Sequence, residues 1–362
     1  MWRTSKVLLG YLSFAAFVVP LGRLHFRWIQ QGSFRLPCHD PDVVRPIPPL
    51  ALRDIRWWST ALYLASPLFP RENQAFITTD ASDSGWGFEV NSVCSRGVWD
   101  PHQLAWHINR KEMFAVSMAI KSNLPFLSNK TVLVQSDNST VVAYLKYQGG
   151  TKSKRLLRDT ILLFQLAAAH NIHLNAQFIP SRYNTVADCL SRNRRLPDWH
   201  LSPQVTSHIF SAWGTPVIDL MATHASAVVP RYVSLLATDR NAEFTDAFSR
   251  PWHFPLAWIF PPPALVPRVL QHLNSATGTY ILITPRWERV FWRPDLKARA
   301  TARPLRIDCV APRLIDLATN RPPENSASLR LEAWRVRGGF SRLLRGATLT
   351  VSSSLAPGDD QR

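Results

Sequence analysis

Four acidic side chains, Asp80, Glu112, Asp137 and Asp188, stand at positions from which they could work together. Asp80 closes a short β-branched run, Ile77-Thr78-Thr79. Small residues, Gly85-Trp86-Gly87 and a second apolar run follow. Phe76 to Val90 therefore reads as a strand, a tight turn and a returning strand, with the acid at the strand end. Asp137 follows Thr131 to Gln135, a buried-strand pattern, and precedes a helix predicted over Thr140 to Tyr147. The carboxyl end of a strand is where ligands bind in α/β sheets. Glu112 opens a helical stripe of Met113, Val116, Ala119 and Ile120, with Asn109 as the predicted N-cap. Asp188 lies on one face of a short helix, TVADCLSR, that Asn184 is predicted to cap. Taken singly, each acid has a plain structural role: a turn aspartate, or a first-turn glutamate that complements the helix dipole. Taken together, four carboxylates in one site resist ionising at once. Hard divalent cations with oxygen ligands relieve that repulsion. Two Mg²⁺ ions roughly 3.5–4 Å apart can activate a water and stabilise the leaving oxygen of a phosphodiester. The pattern points to a two-metal nuclease using Mg²⁺, or Mn²⁺ in its place.

The elements needed to position these acids are legible in order. After the strand of Asp80 come a third short strand at Gly97-Val98-Trp99, the helix of Glu112, the strand ending at Asp137 and its helix. A long amphipathic helix over Leu156 to Ala169, a strand over Ile172 to Ile179 and the helix of Asp188 complete the set. Between the helices, Gln148-Gly149-Gly150-Thr151-Lys152-Ser153-Lys154-Arg155 is a basic loop suited to gripping phosphates.

Charge supports the same partner. In 362 residues, 42 Lys and Arg face 25 Asp and Glu, a formal net charge of +17. Such an excess favours a polyanion, nucleic acid before an anionic membrane surface. At 46% hydrophobic the chain is too apolar to be disordered and is long enough for two cored domains. Four widely spaced cysteines exclude a disulfide scaffold and a cysteine zinc site and fit a reducing compartment. Val7 to Pro20 is uncharged and begins like a secretion signal, but no small-residue cleavage site follows. It falls short of the roughly 20 apolar residues of a membrane span, and a packed soluble helix is the favoured reading. An intracellular protein of cytoplasm or nucleus, neither secreted nor membrane-bound, is expected.

Residues 76 to 192 resemble the ribonuclease H domain of retroelement polyproteins, specifically of DIRS-type retrotransposons. The matching pieces are Thr79 to Ser82 with Gly85 to Gly87, His107-Ile108-Asn109 with Glu112, Ser136 to Thr140, Gln148 to Thr151, and Asn184 to Arg192. The resemblance implies an α/β, ribonuclease H-like mixed five-stranded sheet with helices. It also implies that Asp80, Glu112, Asp137 and Asp188 hold two Mg²⁺ ions to hydrolyse the RNA strand of an RNA–DNA hybrid. Asn138 and Gln148 are then candidates for minor-groove contacts, where a 2′-hydroxyl distinguishes RNA from DNA, and Lys152, Lys154 and Arg155 for phosphate contacts. Many cellular relatives place a histidine in the loop before the last acid; here Pro180-Ser181-Arg182-Tyr183 has none. Residues 4 to 30 resemble the segment joining a reverse transcriptase polymerase to its nuclease, while the polymerase palm with its Tyr-x-Asp-Asp is absent from the sequence. The partners implied are an RNA–DNA hybrid, DNA and that missing polymerase domain.

The second half reads as a smaller, doubly wound α/β domain. It resembles the adenine-N6 methyltransferase-like domain that follows ribonuclease H in the same elements. Asp219 and Asp246 match its acids, and Phe260 to Pro263 stands in place of its Asp/Asn-Pro-Pro-aromatic motif. Phe260 cannot accept a hydrogen bond from an amino group and Pro263 cannot stack as an aromatic does. No glycine-rich loop follows Asp219, so a degenerate, non-methylating, nucleic-acid-binding domain is expected. His224 and His253 read as surface or packing residues. Leu329 to Arg337 is predicted to be a short basic helix, and Ser352 to Arg362 to be disordered. The organisation expected is a connection remnant and linker over 1–50, the nuclease-like domain over 51–195, the methyltransferase-like domain over 196–300, and a basic tail over 301–362.

Overall fold

The computed structural model describes residues 2–33, 46–65, 71–194, 198–317, 319–322 and 329–339. The chain divides into two units, Met1–Leu196 and Pro197–Arg362.

In the first unit, β1 (Ala75–Ala81), β2 (Gly85–Val90), β3 (Val93–Val98), β4 (Thr131–Ser136) and β5 (His173–Phe178) form one sheet in the order β3-β2-β1-β4-β5. The first three strands are an antiparallel meander, and β4 and β5 run parallel to β1. This is the ribonuclease H-like mixed sheet that the resemblance implies, and the unit is α/β. Its central strands β1 and β4 are buried along their whole length, in keeping with the unbroken apolar run Val132-Leu133-Val134.

The helices of this unit are α1 (Trp2–Ala15), α2 (Arg27–Ser33), α3 (Pro49–Ala61), α4 (Pro101–Leu104), α5 (Ile108–Ser122), α6 (Leu124–Leu127), α7 (Ser139–Lys146), α8 (Lys154–Ala169) and α9 (Thr185–Ser191). The predicted stripe of α5 is wholly buried against the sheet. Leu12, Leu24, Trp28 and Ile29 belong to the same core cluster as Ile77 and Val134. Much of the segment assigned to a separate connection remnant is thus built into the core of the first unit. No helix among the described residues is long and apolar enough to cross a membrane.

Three local predictions are corrected. The N-cap of α5 is His107, whose Nδ1 accepts from the Asn109 amide, not Asn109. The helix consequently begins at Ile108, and Glu112 lies beyond its first turn, buried where the dipole argument does not apply. Asn184 makes no side-chain cap for α9; its Nδ2 donates to the Thr79 carbonyl at 2.9 Å, tying that helix to β1.

In the second unit, β6 (Trp199–Leu201), α10 (Pro203–Trp213), β7 (Ile218–Asp219), β8 (His253–Ile259), α11 (Val266–His272), β9 (Thr277–Pro285), α12 (Arg293–Arg299), β10 (Leu305–Ile307), β11 (Leu314–Asp316) and β12 (Leu331–Arg337) follow in order. The main sheet runs β10-β12-β9-β8-β7; β7, β8 and β9 are parallel, and β12 and β10 extend it antiparallel. The predicted basic helix at Leu329 to Arg337 is instead strand β12, near the centre of this sheet. Trp334-Arg335-Val336-Arg337 alternates with period two, and buried Trp334 and Val336 join the core. The expected tail from residue 301 accordingly supplies three strands up to Arg337. Residues 352–362, predicted to be disordered, lie outside the described residues, as does most of the linker.

Candidate metal centre

Two strands and one helix converge on one cluster. Asp80 near the end of β1, Glu112 on α5 and Asp137 just after β4 each offer a carboxylate oxygen, all within 4.8 Å of one another. Burial explains the charge state. Asp80 and Glu112 are 3% and 4% exposed. Burial, then the neighbouring charges of Asp137 and Asp188, push the Asp80 carboxyl up to about 6 against the hydrogen bond from Ser191. Burial, then Asp80 and Asp137, push Glu112 up to about 9. Asp137 is also raised, chiefly by burial, with Ser181 pulling the other way through a hydrogen bond. Glu112 Oε2 is buried with no hydrogen-bond partner among the described residues. A buried carboxylate oxygen without a donor costs free energy unless a proton or a cation meets it. The donor set is all oxygen, so the residues present fit a hard divalent cation such as Mg²⁺.

Asp188 stands differently. It acts electrostatically on both Asp80 and Asp137, but its Oδ1 accepts from Arg192 Nε at 2.6 Å, an i,i+4 ion pair along and just past α9. The structure groups three of the four acids as one cluster and leaves the fourth beside it, ion-paired.

Several residues around the cluster carry no signal as isolated letters. Ser191 Oγ donates to Asp80 Oδ2 at 2.5 Å, and Ser181, in the loop that lacks a histidine, hydrogen-bonds Asp137. Gly87 opposes Asp80 directly in the β1–β2 ladder. The two glycines of Gly85-Trp86-Gly87 are strand residues of β2, not turn residues. Gly87 leaves room for α9, since a Cβ on it would lie 2.4 Å from Leu190 Cβ and 2.7 Å from the Ser191 nitrogen, whereas a Cβ on Gly85 would meet the Gly97 carbonyl oxygen of β3 at 2.3 Å.

The predicted nucleic-acid contacts fall at the cap of α7, in the loop between α7 and α8, and in the first turn of α8. Asn138 caps α7, accepting from the amides of Thr140 and Val141, and its Nδ2 donates to Asn109 Oδ1 at 2.9 Å. One amide hydrogen of Asn138 is left for a ligand. Lys152, Lys154 and Arg155 are exposed, and the last two sit in the first turn of α8. Cations there oppose the helix dipole, a placement that stability does not favour and phosphate binding does. Gln148 adopts φ +53°, and its loop is held from outside. Arg27 donates to the carbonyls of Tyr147 and Gln148, and Gln31 Nε2 to the Thr151 carbonyl at 3.0 Å. Removing such charge-assisted bonds costs about 1.5–3 kcal/mol. Arg27→Ala is expected to make the chain sensitive to limited tryptic cleavage at Lys152 and to weaken nucleic-acid binding about tenfold. Mass mapping of the digest checks the first and a titration the second; an unchanged digest removes the bracing role of Arg27.

No family model matches the chain. Over 146 residues, 36% of the chain, it is 29% identical to the enzymatic polyprotein of Figwort mosaic virus. Over 137 residues it is 28% identical to an enzymatic polyprotein of Cassava vein mosaic virus. The chain spans about a fifth of the length of these curated relatives. Among solved structures, it is similar to a compost-derived ribonuclease H1 in complex with RNA/DNA hybrid, at 18% identity and TM-score 0.30, covering 33% of this chain and 96% of that one. A ribonuclease H1 from Halobacterium salinarum gives 16% identity and TM-score 0.28, covering 33% and 93%. A foamy viral protease-reverse transcriptase in complex with double-stranded DNA gives 14% identity and TM-score 0.23, covering 48% and 32%.

In the second unit the two predicted acids hold backbone. Asp219, fully buried at the end of β7, accepts from the amides of Met221 and Val228, and burial pushes its carboxyl up to about 7. Asp246 adopts φ +57° and caps the following turn by accepting from Phe248. His224 lies against Tyr232, and His253 bonds Thr277.

Proposed function

We propose that the first unit is a Mg²⁺-dependent ribonuclease H that cleaves the RNA strand of RNA–DNA hybrids during reverse transcription of a DIRS-type retroelement, inside the cell. The observation that carries this reading is the trio Asp80, Glu112 and Asp137 within 4.8 Å, one of whose buried oxygens has no donor among the described residues. Bound divalent cations would supply a nucleophilic water and charge stabilisation at the leaving oxygen. The chain's own residues do the positioning. Ser191 and Ser181 orient the Asp80 and Asp137 carboxylates. Arg192 pairs with Asp188 beside the cluster, and Asp188, released from that pair, would serve as the fourth ligand. Lys152, Lys154 and Arg155 would grip phosphates of the hybrid, with Asn138 and Gln148 toward its minor groove. The second unit, whose Asp219 and Asp246 hold backbone rather than a ligand, is read as a methyltransferase-like remnant that does not methylate.

A specific observation favours the alternative of a silent nucleic-acid-binding remnant, namely the Asp188–Arg192 pair. A labelled RNA–DNA hybrid incubated with the full chain decides. Cleavage with Mg²⁺ that stops in chelator is expected; salt-sensitive binding without cleavage at any Mg²⁺ or Mn²⁺ concentration would establish the alternative.

A further inference from the structure

We propose a second nucleic-acid site, a cationic cleft built wholly within the second unit that takes the phosphodiester backbone of a single strand. The cleft encloses about 660 Å³. Strand β12 forms its floor, α12 one wall, and the chain returning from α12 into β10 the other. Its inner charges are organised around Glu332, 3% exposed, which accepts from Arg293 at 3.2 Å and has Arg286 at 3.5 Å. Glu288, exposed above them, reaches the same two arginines. Arg306 faces Glu332 directly across the β10–β12 ladder, which puts both on one face of the sheet.

What this arrangement lacks is anions. Lys297, Arg303 and Arg306 line the cleft, are exposed, and make no ion pair or side-chain hydrogen bond among the described residues. The cleft therefore carries five cations against two carboxylates. A second, independent observation is Trp334, which lines the same cleft at 3% exposure, with an indole Nε1 that has no hydrogen-bond partner among the described residues. An unpaired buried donor is costly in the free state and is satisfied by an acceptor on a ligand. Anionic acceptors answer both deficits. The three free cations come from α12, the return segment and β10 respectively, so they are spread to meet successive phosphates rather than a single one. Guanidinium groups suit phosphate through their paired donors. The backbone of a polynucleotide is the occupant that this spread and the net charge of +17 select.

The site does not depend on the nuclease reading, and its test can be read apart from it. The full chain is titrated in chelator with a fluorescent single-stranded DNA of about 12 nucleotides, and Lys297 acylation is followed by mass spectrometry. The oligonucleotide is expected to protect Lys297 severalfold. Lys297→Ala/Arg303→Ala/Arg306→Ala is expected to weaken binding at least about tenfold and to flatten the salt dependence by about two units of slope, at roughly 0.7 per lost contact. These side chains are exposed, so the melting temperature should be unchanged. Glu288→Gln, which removes a competing carboxylate, should tighten binding about threefold. An equally reactive Lys297 with and without DNA, or an unchanged salt slope in the triple variant, overturns the proposal. So does a loss of binding that follows only from Lys152→Ala/Lys154→Ala/Arg155→Ala in the first unit.

Discussion

Asp80→Asn should abolish hybrid cleavage while making the metal-free protein more stable at pH 8. On the proposed reading, removing a carboxylate that would help hold the cations forfeits several kcal/mol of transition-state stabilisation, about three orders of magnitude in rate. The stability gain follows from the raised carboxyl. Asp80 ionises near 6 in the folded chain against 3.8 in its absence. A group whose folded value is raised contributes stability that is complete below the unfolded value and is lost as pH rises through the folded one. At pH 8 the wild type therefore bears the penalty of a buried carboxylate, up to about 3 kcal/mol at 1.36 kcal/mol per pH unit, and Asn does not. Below pH 3.8 the difference should fade away. Mg²⁺ should raise the melting temperature of the wild type alone, by linkage to the state that binds it. Because Glu112 keeps its proton up to about 9, cation binding must displace protons, and activity at limiting Mg²⁺ should climb between pH 6 and 9. Melts with and without chelator across that range, with hybrid cleavage alongside, check every part. A variant no more stable than wild type at pH 8, or one that still cleaves, would sink the assignment of Asp80.

The elements that carry the acids were legible because their patterns are local. Thr131 to Gln135 declares a buried strand by its run of apolar residues, and the stripe of α5 declares a helix by its spacing. The convergence of Asp80, Glu112 and Asp137 is not local: residue type and order suggest it, and the family resemblance specifies it. Cap residues were misread because asparagine has two uses that the letter does not distinguish. Asn184 turned its amide to a carbonyl of β1, and His107 took the role given to Asn109. Strand β12 was mistaken for a helix because Glu332 is buried by two arginines that lie 39 and 46 positions earlier in the chain, around positions 293 and 286. A buried carboxylate looks like a solvent-facing one until its partners are known. The role of Gly87 is hidden for a related reason: what it makes room for, α9, lies about a hundred residues later.

That close approach gives the other large effect. Gly87→Ala should destabilise the first unit and cripple the metal centre together, although residue 87 has no chemistry of its own. Its added Cβ would stand 2.4 Å from Leu190 Cβ, 2.7 Å from the Ser191 nitrogen and 2.8 Å from the Ala187 carbonyl oxygen, all parts of α9 with no freedom to rotate away. The helix must lift off the sheet. Overpacking of this kind costs about 1–3 kcal/mol. Lifting α9 also carries Ser191 away from Asp80 and moves Asp188 relative to the trio. A displacement near 1 Å can lower a rate by about 10²-fold, so cleavage should fall further than the stability loss alone explains. Valine should be worse than alanine on both counts. Gly10→Ala supplies the contrast. A Cβ there meets nothing within 4 Å, and in the interior of α1 it should be neutral or stabilising by up to about 1 kcal/mol. Denaturant titrations and cleavage rates of the three variants, measured well below their melting temperatures, separate the effects. If Gly87→Ala cleaved like the wild type, the flush packing of α9 on β2 would not be what positions Asp80.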